Sequence, residues 1–190
     1  MKITIIQGHP DPSERHYLHA LAEAYVEGAK SAHEIRRVEV AALDFPLLRS
    51  KKQWSGPVPP SLAAARDAIL WADHLVILFP LWLGDMPALL KGFLEQAIRI
   101  DIDAAASTGK SDWRILKGKS ARIIVTMGMP ALIYRWYFFA HGVTNLRRGI
   151  LGFVGVRPVR ETLIGSVEAM SDTARRRWLD TMRQLGRDGA

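Results

Sequence analysis

The stretch Leu75-Val76-Ile77-Leu78-Phe79-Pro80-Leu81-Trp82-Leu83-Gly84-Asp85-Met86-Pro87-Ala88-Leu89-Leu90-Lys91-Gly92 decides how this chain folds. Its first five residues are apolar without alternation, the pattern of a strand buried on both faces at the centre of a parallel sheet. Pro80 ends the run and Gly84 turns the chain. Pro87 then supplies the preset φ of a helix start, and Leu89, Leu90, Phe93, Leu94 and Ala97 follow at helical spacing. A buried parallel strand that feeds directly into a helix is half of a β-α-β unit.

The same alternation extends to both termini. Upstream, the β-branched run Ile3 to Ile6 stops at Gly8-His9-Pro10-Asp11-Pro12 and predicts a buried strand with a tight loop. Leu18, Leu21, Ala22, Tyr25 and Ala29 predict a helix within Arg15 to Ala32. Ile35 to Val40 is less apolar and predicts an edge strand. Residues 44 to 60, with Lys51, Lys52, Trp54, Pro57, Pro59 and Pro60, predict a long loop, and long loops in compact domains are often functional. Ser61 is expected to cap a helix that runs to Trp71. Downstream, a polar excursion from Asp101 to Gly118 precedes a buried strand, Ala121 to Thr126. An aromatic helix, Ile133 to Phe139, comes next, then a last strand, Val156 to Ile164. A closing helix spans Glu168 to Leu185, with Arg175, Arg176 and Arg177 outward. The expectation is an α/β fold: a single domain over residues 1–190, a three-layer flavodoxin-like sandwich on a five-stranded parallel sheet of order 2-1-3-4-5.

Composition bounds the function. The chain has 190 residues, 48% hydrophobic and 24% charged, which suits one globular domain with a sizeable core. It has no cysteine, which excludes disulfides, thiolate metal sites and a cysteine nucleophile. The longest uncharged apolar stretch, Leu75 to Gly84, is far short of the roughly 20 residues of a membrane span, so a soluble, cytoplasmic protein is expected. The net charge of +7 suggests nucleic acid, a membrane surface or a phosphorylated cofactor as partner, or solubility alone. Nucleic acid is least supported, because no recognised module is present and the basic residues are scattered. No set of His, Asp and Glu has metal-ligand spacing, and no metal is expected. His19, His33 and His74 are expected at the surface or at caps.

In parallel sheets of this type, ligands bind at the carboxyl ends of the strands, which directs attention to residues 8–17, 80–87 and 126–135. The first loop places Gly8, His9, Ser13, Arg15 and His16 before a helix N-terminus, the components of a phosphate cradle; alternatively Ser13 only caps and His9 only packs. Neither a dinucleotide fingerprint nor a nucleoside-triphosphate loop is present. In the second loop, Leu81, Trp82 and Leu83 would form a flat apolar wall for a planar ligand, or core filler. The third, Thr126-Met127-Gly128-Met129-Pro130 with Tyr134 beyond it, is weak on its own.

Together the strand–GHPDPS–helix, strand–PLWLGDMPALLKGFLE and strand–TMGMP…Y blocks, with LKGK at Leu116 to Lys119, resemble the flavodoxin-like NAD(P)H:quinone oxidoreductase family from Met1 to about Gly165. That resemblance implies a non-covalent flavin, FAD or in some branches FMN, with NADH or NADPH as co-substrate. His9, Ser13, Arg15 and His16 would surround its phosphates. Pro80, Leu81, Trp82, Leu83 and Gly84 would line the isoalloxazine, and Thr126, Met127 and Gly128 would meet its polar edge. Tyr134 and, one residue displaced from the family position now held by Ala140, His141 would be catalytic; on one continuous helix they would share a face. The family often reads Thr-Thr-Gly-Gly where this chain reads Thr126-Met127-Gly128-Met129. Two successive hydride transfers would reduce a quinone-like acceptor. A homodimer is implied, and the apolar run Tyr134 to Phe139 suits its interface. The alternative is an ancillary flavin-binding subunit docked peripherally on a potassium-efflux type membrane transporter. Lys51, Lys52 and Trp54 could close over cofactor or acceptor.

Overall fold

A computed structural model describes residues 1–13, 16–99 and 113–190. Arg15 and the polar excursion as far as residue 112 lie outside the described residues. Five strands form one parallel sheet: β1 (Lys2–Gln7), β2 (Glu34–Glu39), β3 (His74–Pro80), β4 (Ser120–Thr126) and β5 (Val159–Ile164). Their order is β2-β1-β3-β4-β5, as the sequence predicts.

The unbroken apolar run of β3 is buried throughout and divides between two cores. Leu75, Ile77 and Phe79 enter one, and Val76 and Leu78 enter the other, as alternation across a pleat requires. The first core lies under α3 (Ala63–Trp71) and α4 (Ala88–Ala97). The second lies under α1 (Tyr17–Ala29) and the closing helix α7 (Asp172–Asp188). The only polar side chain within the Ile3 to Ile6 run, Thr4, is fully buried and donates its hydroxyl to the Ala68 carbonyl at 2.7 Å.

Several boundaries differ from the sequence reading. Ser61 does not cap a helix. Pro60 opens a 3₁₀ turn (Pro60–Leu62), and α3 continues from it with Leu62 at the cap position. The 44–60 loop contains a short helix, α2 (Lys51–Ser55), begun by the Ser50 hydroxyl, which accepts from the Gln53 N–H. Arg175 is not outward. Its guanidinium stacks over the Tyr17 ring at 4.9 Å and donates to the Met170 and Val167 carbonyls. The aromatic helix is broken: α5 (Ala131–Trp136) ends early, Phe139 and Ala140 take positive φ, and α6 (His141–Thr144) starts afresh before a π-helical turn, Asn145–Leu151. Tyr134 and His141 therefore belong to different helices.

His74 is also not at the surface. It is 3% exposed at the start of β3, in register with Ser120, whose hydroxyl lies 2.7 Å from its Nδ1. Burial, helped by Arg122 and Arg160, pushes its pKa down to about 4. A histidine depressed in the folded state gives stability that is complete above its unfolded pKa near 6.5 and is lost as pH falls toward 4. The expected loss is about 3 kcal/mol over that window. Urea midpoints measured across it should show this slope, and His74→Leu should flatten it.

Candidate functional site

The loops after β1, β3, β4 and β5 converge on one cleft of about 330 Å³. His9, His16, Tyr17 and Leu18 wall one side of it, Pro80, Leu81 and Trp82 another, and Thr126, Met127 and Gly128 with Val167 and Glu168 close it. Its floor extends the sheet ladder: Leu81 N–H donates to the Thr126 carbonyl at 2.8 Å, and Met127 N–H to the Ile164 carbonyl at 2.9 Å. Val167 N–H returns to the Met127 carbonyl at 3.2 Å.

The first wall is a stack of imidazoles. The His9 and His16 rings lie 4.0 Å apart and nearly parallel, and His19 joins them at 5.2 Å from His9. His9 is 7% exposed; its N–H donates to Gln7 Oε1, and its Nδ1 lies 3.1 Å from the Asp11 N–H. Burial first, then the neighbouring His16 charge, pushes its pKa below the usual histidine range. Asp11 Oδ2 lies 2.7 Å from His16 Nε2, and that hydrogen bond holds the carboxyl below its ordinary value. Among the described residues no cluster of three or more His, Asp or Glu is arranged to hold a metal ion, this trio included. It stands at the start of α1, where free amide N–H groups and the helix dipole favour an anion. Ser13 is drawn aside, its N–H donating to Asp11 Oδ1 at 2.9 Å, and it does not line the cleft.

Trp82 owes its place to a two-residue hairpin. Trp82 and Asp85 exchange both backbone hydrogen bonds, at 2.9 and 3.0 Å, around Leu83 (φ 47°) and Gly84 (φ 83°), the two left-handed residues of a type I′ turn. The hairpin leaves Trp82 half exposed beside His9, with ring centroids 6.4 Å apart. Leu83 projects fully into solvent, so it and Gly84 turn the chain rather than line the cleft. A leucine in the left-handed region carries strain that asparagine largely avoids. Leu83→Asn is expected to raise stability by about 0.5–1 kcal/mol, visible as a higher urea midpoint.

Tyr134 is 1% exposed and outside the cleft. Its hydroxyl donates to the Gly84 carbonyl at 3.1 Å and accepts from the Val143 N–H at 3.3 Å. Burial raises its pKa. A Cβ on Gly142 would stand 2.6 Å from the Gly84 oxygen, so α6 presses directly on the hairpin that Tyr134 holds. The hydroxyl expected beside a bound ring is here engaged in fixing the Trp82 hairpin. His141 is exposed, lies against Phe139 and is likewise not a lining residue. Lys51, Lys52 and Trp54 sit elsewhere; the Gln53, Trp54 and Pro57 carbonyls accept from the Arg99 guanidinium.

Sequence reasoning missed the wall formed by Val167 and Glu168. The signal was available, because every strand of a parallel sheet delivers its following loop to the same edge. Ser166 takes φ 53° there, and a Cβ on Gly165 would meet the Ala131 nitrogen at 2.3 Å, so this loop packs against the start of α5.

A family model of the flavodoxin-like fold matches residues 1–185. A protein of Haemophilus influenzae described as an uncharacterized NAD(P)H oxidoreductase is 26% identical over 131 residues, 68% of this chain. That match spans 64% of the Haemophilus protein's length. The crystal structure of Smu.1420 from Streptococcus mutans superposes with a TM-score of 0.81 at 27% identity, covering 99% of this chain and 100% of the other. An NAD(P)H:quinone oxidoreductase from Methanothermobacter marburgensis superposes with a TM-score of 0.78 over 98% of this chain and 96% of its own; at 22% identity the likeness is one of fold. With its five parallel strands in the order 2-1-3-4-5, the chain belongs to the flavodoxin-like fold family.

Proposed function

We propose that the protein is a flavin-dependent NAD(P)H oxidoreductase that reduces quinones or related acceptors. The observation that carries this reading is one cleft joining a flat apolar wall, Pro80, Leu81 and Trp82, to an imidazole stack at a helix start. Those two surfaces suit the two ends of a flavin nucleotide, an apolar ring system and a phosphate. The cleft volume falls within the range of cofactor sites. The name borne by the Haemophilus relative is consistent with the same activity.

His9 and His16 would hold the phosphate; Arg15 is proposed as a further ligand from the same loop, and Ser13, bonded to Asp11, is assigned no contact with it. Leu81 and Trp82 would cover one face of the ring and exclude water from it. The main chain at Thr126 to Gly128 would meet its polar edge, and the Glu168 carboxylate would accept hydrogen bonds from hydroxyl groups across the cleft. A bound flavin would supply the redox chemistry, taking hydride from NADH or NADPH and giving it to the acceptor in a second, separate transfer. Tyr134 enters as a positioning residue that fixes the Trp82 hairpin, and His141 is assigned no contact with the reacting groups. FAD is the proposed flavin and FMN the alternative. Among the described residues no helix is long and apolar enough to cross a membrane. Leu132, Trp136, Tyr137 and Phe139 are each more than two-thirds exposed on one short segment, a face that a second copy of the chain would cover in a homodimer.

The test is to purify the protein, record its visible spectrum, release and identify the flavin, and follow NADH and NADPH oxidation with a panel of quinones. A flavin spectrum with acceptor-dependent turnover is expected. A colourless protein that takes up neither FAD nor FMN would overturn the reading.

A further inference from the structure

Arg147, Arg148 and Arg157 line a second cavity, of about 430 Å³, with Gly152, Val156 and Val159 as its remaining wall. It lies between the π-helical turn Asn145–Leu151 and the beginning of the edge strand β5. The cleft described above is at the opposite end of that strand, about 20 Å away for six extended residues. Consecutive residues of an ordinary helix diverge, yet Arg147 and Arg148 both border this cavity from the wider π turn. Arg147 Nε lies 3.0 Å from Glu161 Oε1, a charge pairing without hydrogen-bond geometry, and among the described residues no hydrogen bond engages the terminal nitrogens of that guanidinium. Among the described residues no ion pair or hydrogen bond engages the side chain of Arg148 or Arg157. Three permanent positive charges thus line one cavity, and the single carboxylate paired with one of them, that of Glu161, is not part of its lining.

We propose that this cavity is an anion site for a phosphate-bearing small molecule, gripped by the Arg148 and Arg157 guanidinium forks beside a prearranged Arg147. Planar forks match phosphate oxygens bidentately, and the Val156 and Val159 side chains keep part of the contact out of water. The site is independent of the flavin reading. It accounts for part of the chain's positive charge that the cleft leaves unexplained.

The test follows the arginine Nε–Hε signals by NMR while inorganic pyrophosphate, and separately ADP, is added to the full chain. Saturable shifts of the Arg148 and Arg157 signals are expected, with a dissociation constant below about 1 mM. Affinity should rise between about pH 6 and pH 8 as phosphate gains charge, because guanidinium stays ionised throughout. A phosphate held by the imidazole stack would show the opposite trend, which separates the two sites. The double variant Arg148→Gln/Arg157→Gln should lose about tenfold or more in affinity, with flavin uptake and thermal midpoint unchanged. Single variants serve if the double one fails to fold. Equal affinity for pyrophosphate and ADP identifies the phosphate alone as the ligand, and tighter ADP binding identifies a nucleotide. The proposal is overturned if no saturable shift appears, if the variants bind pyrophosphate as the wild type does, or if only an oligonucleotide or an acidic peptide saturates these arginines.

Discussion

Replacing His9 by aspartate is expected to weaken flavin binding by about 100-fold or more at neutral pH. The imidazole is 7% exposed, stacked 4.0 Å from His16, and held below the usual histidine pKa by burial and by that neighbour. A phosphate placed against the stack reverses the balance by favouring the protonated ring, so binding takes up a proton. Affinity for flavin in the wild type should therefore climb as pH falls through the imidazole range. Aspartate removes a charge-assisted hydrogen bond of about 1.5–3 kcal/mol and adds repulsion of a comparable size. Quenching of flavin fluorescence on titration with apoprotein gives the measurement. His9→Gln retains a donor without a charge and should lose less, about tenfold, with a flatter pH profile. Unchanged affinity and slope in both variants would remove the imidazole stack from the phosphate site.

Gly28→Ala is expected to destabilise the fold by about 3 kcal/mol or more, against the helix preference of alanine, which alone favours the change by about 0.5–1 kcal/mol. A Cβ at position 28 would stand 1.9 Å from the Arg183 carbonyl oxygen and 2.7 Å from its carbon. The reciprocal approach is as close, because a Cβ on Gly186 would lie 2.1 Å from the Tyr25 oxygen. Both obstacles are backbone, so no side chain can swing aside. The two helices that cover one face of the sheet must separate, which loosens Leu21, Tyr25 and Met182 in the core beneath. Urea denaturation decides the sign: a higher midpoint would mean that α1 and α7 can part without loss.

The central strand and its helix were readable because an unalternated apolar run, a proline and a helical stripe each have one local meaning. So were the order of the sheet and three of the loops at its edge. What escaped reading depends on contacts between distant parts of the chain. Phe139 and Ala140 take left-handed φ although neither residue favours it, and no local signal warned that the helix through Tyr134 would break before His141. Tyr134 has the position of a site residue by sequence, and only its bonds to Gly84 and Val143 give it a different task. His74 looked like a polar residue ahead of an apolar run, and its burial follows from pairing with Ser120 across the sheet. Arg99 received no role from sequence, yet it gathers the carbonyls of a proline-rich loop that would otherwise have few partners.

The ladder beneath the cleft has a dynamic consequence. Leu81, Met127 and Val167 are tied by main-chain hydrogen bonds to the loop or strand end beside them, so the floor should open only when the sheet itself opens. The rim is built differently: the Trp82 hairpin closes on its own two main-chain bonds and is tied down by one side-chain bond from Tyr134, and the imidazole wall rests on bonds among Gln7, His9 and Asp11. Floor and rim are thus expected to open separately, the floor's amide hydrogens exchanging with the whole domain and the rim's by local fluctuation. A cleft assembled this way can keep one occupant seated on its base while others enter and leave across its edge.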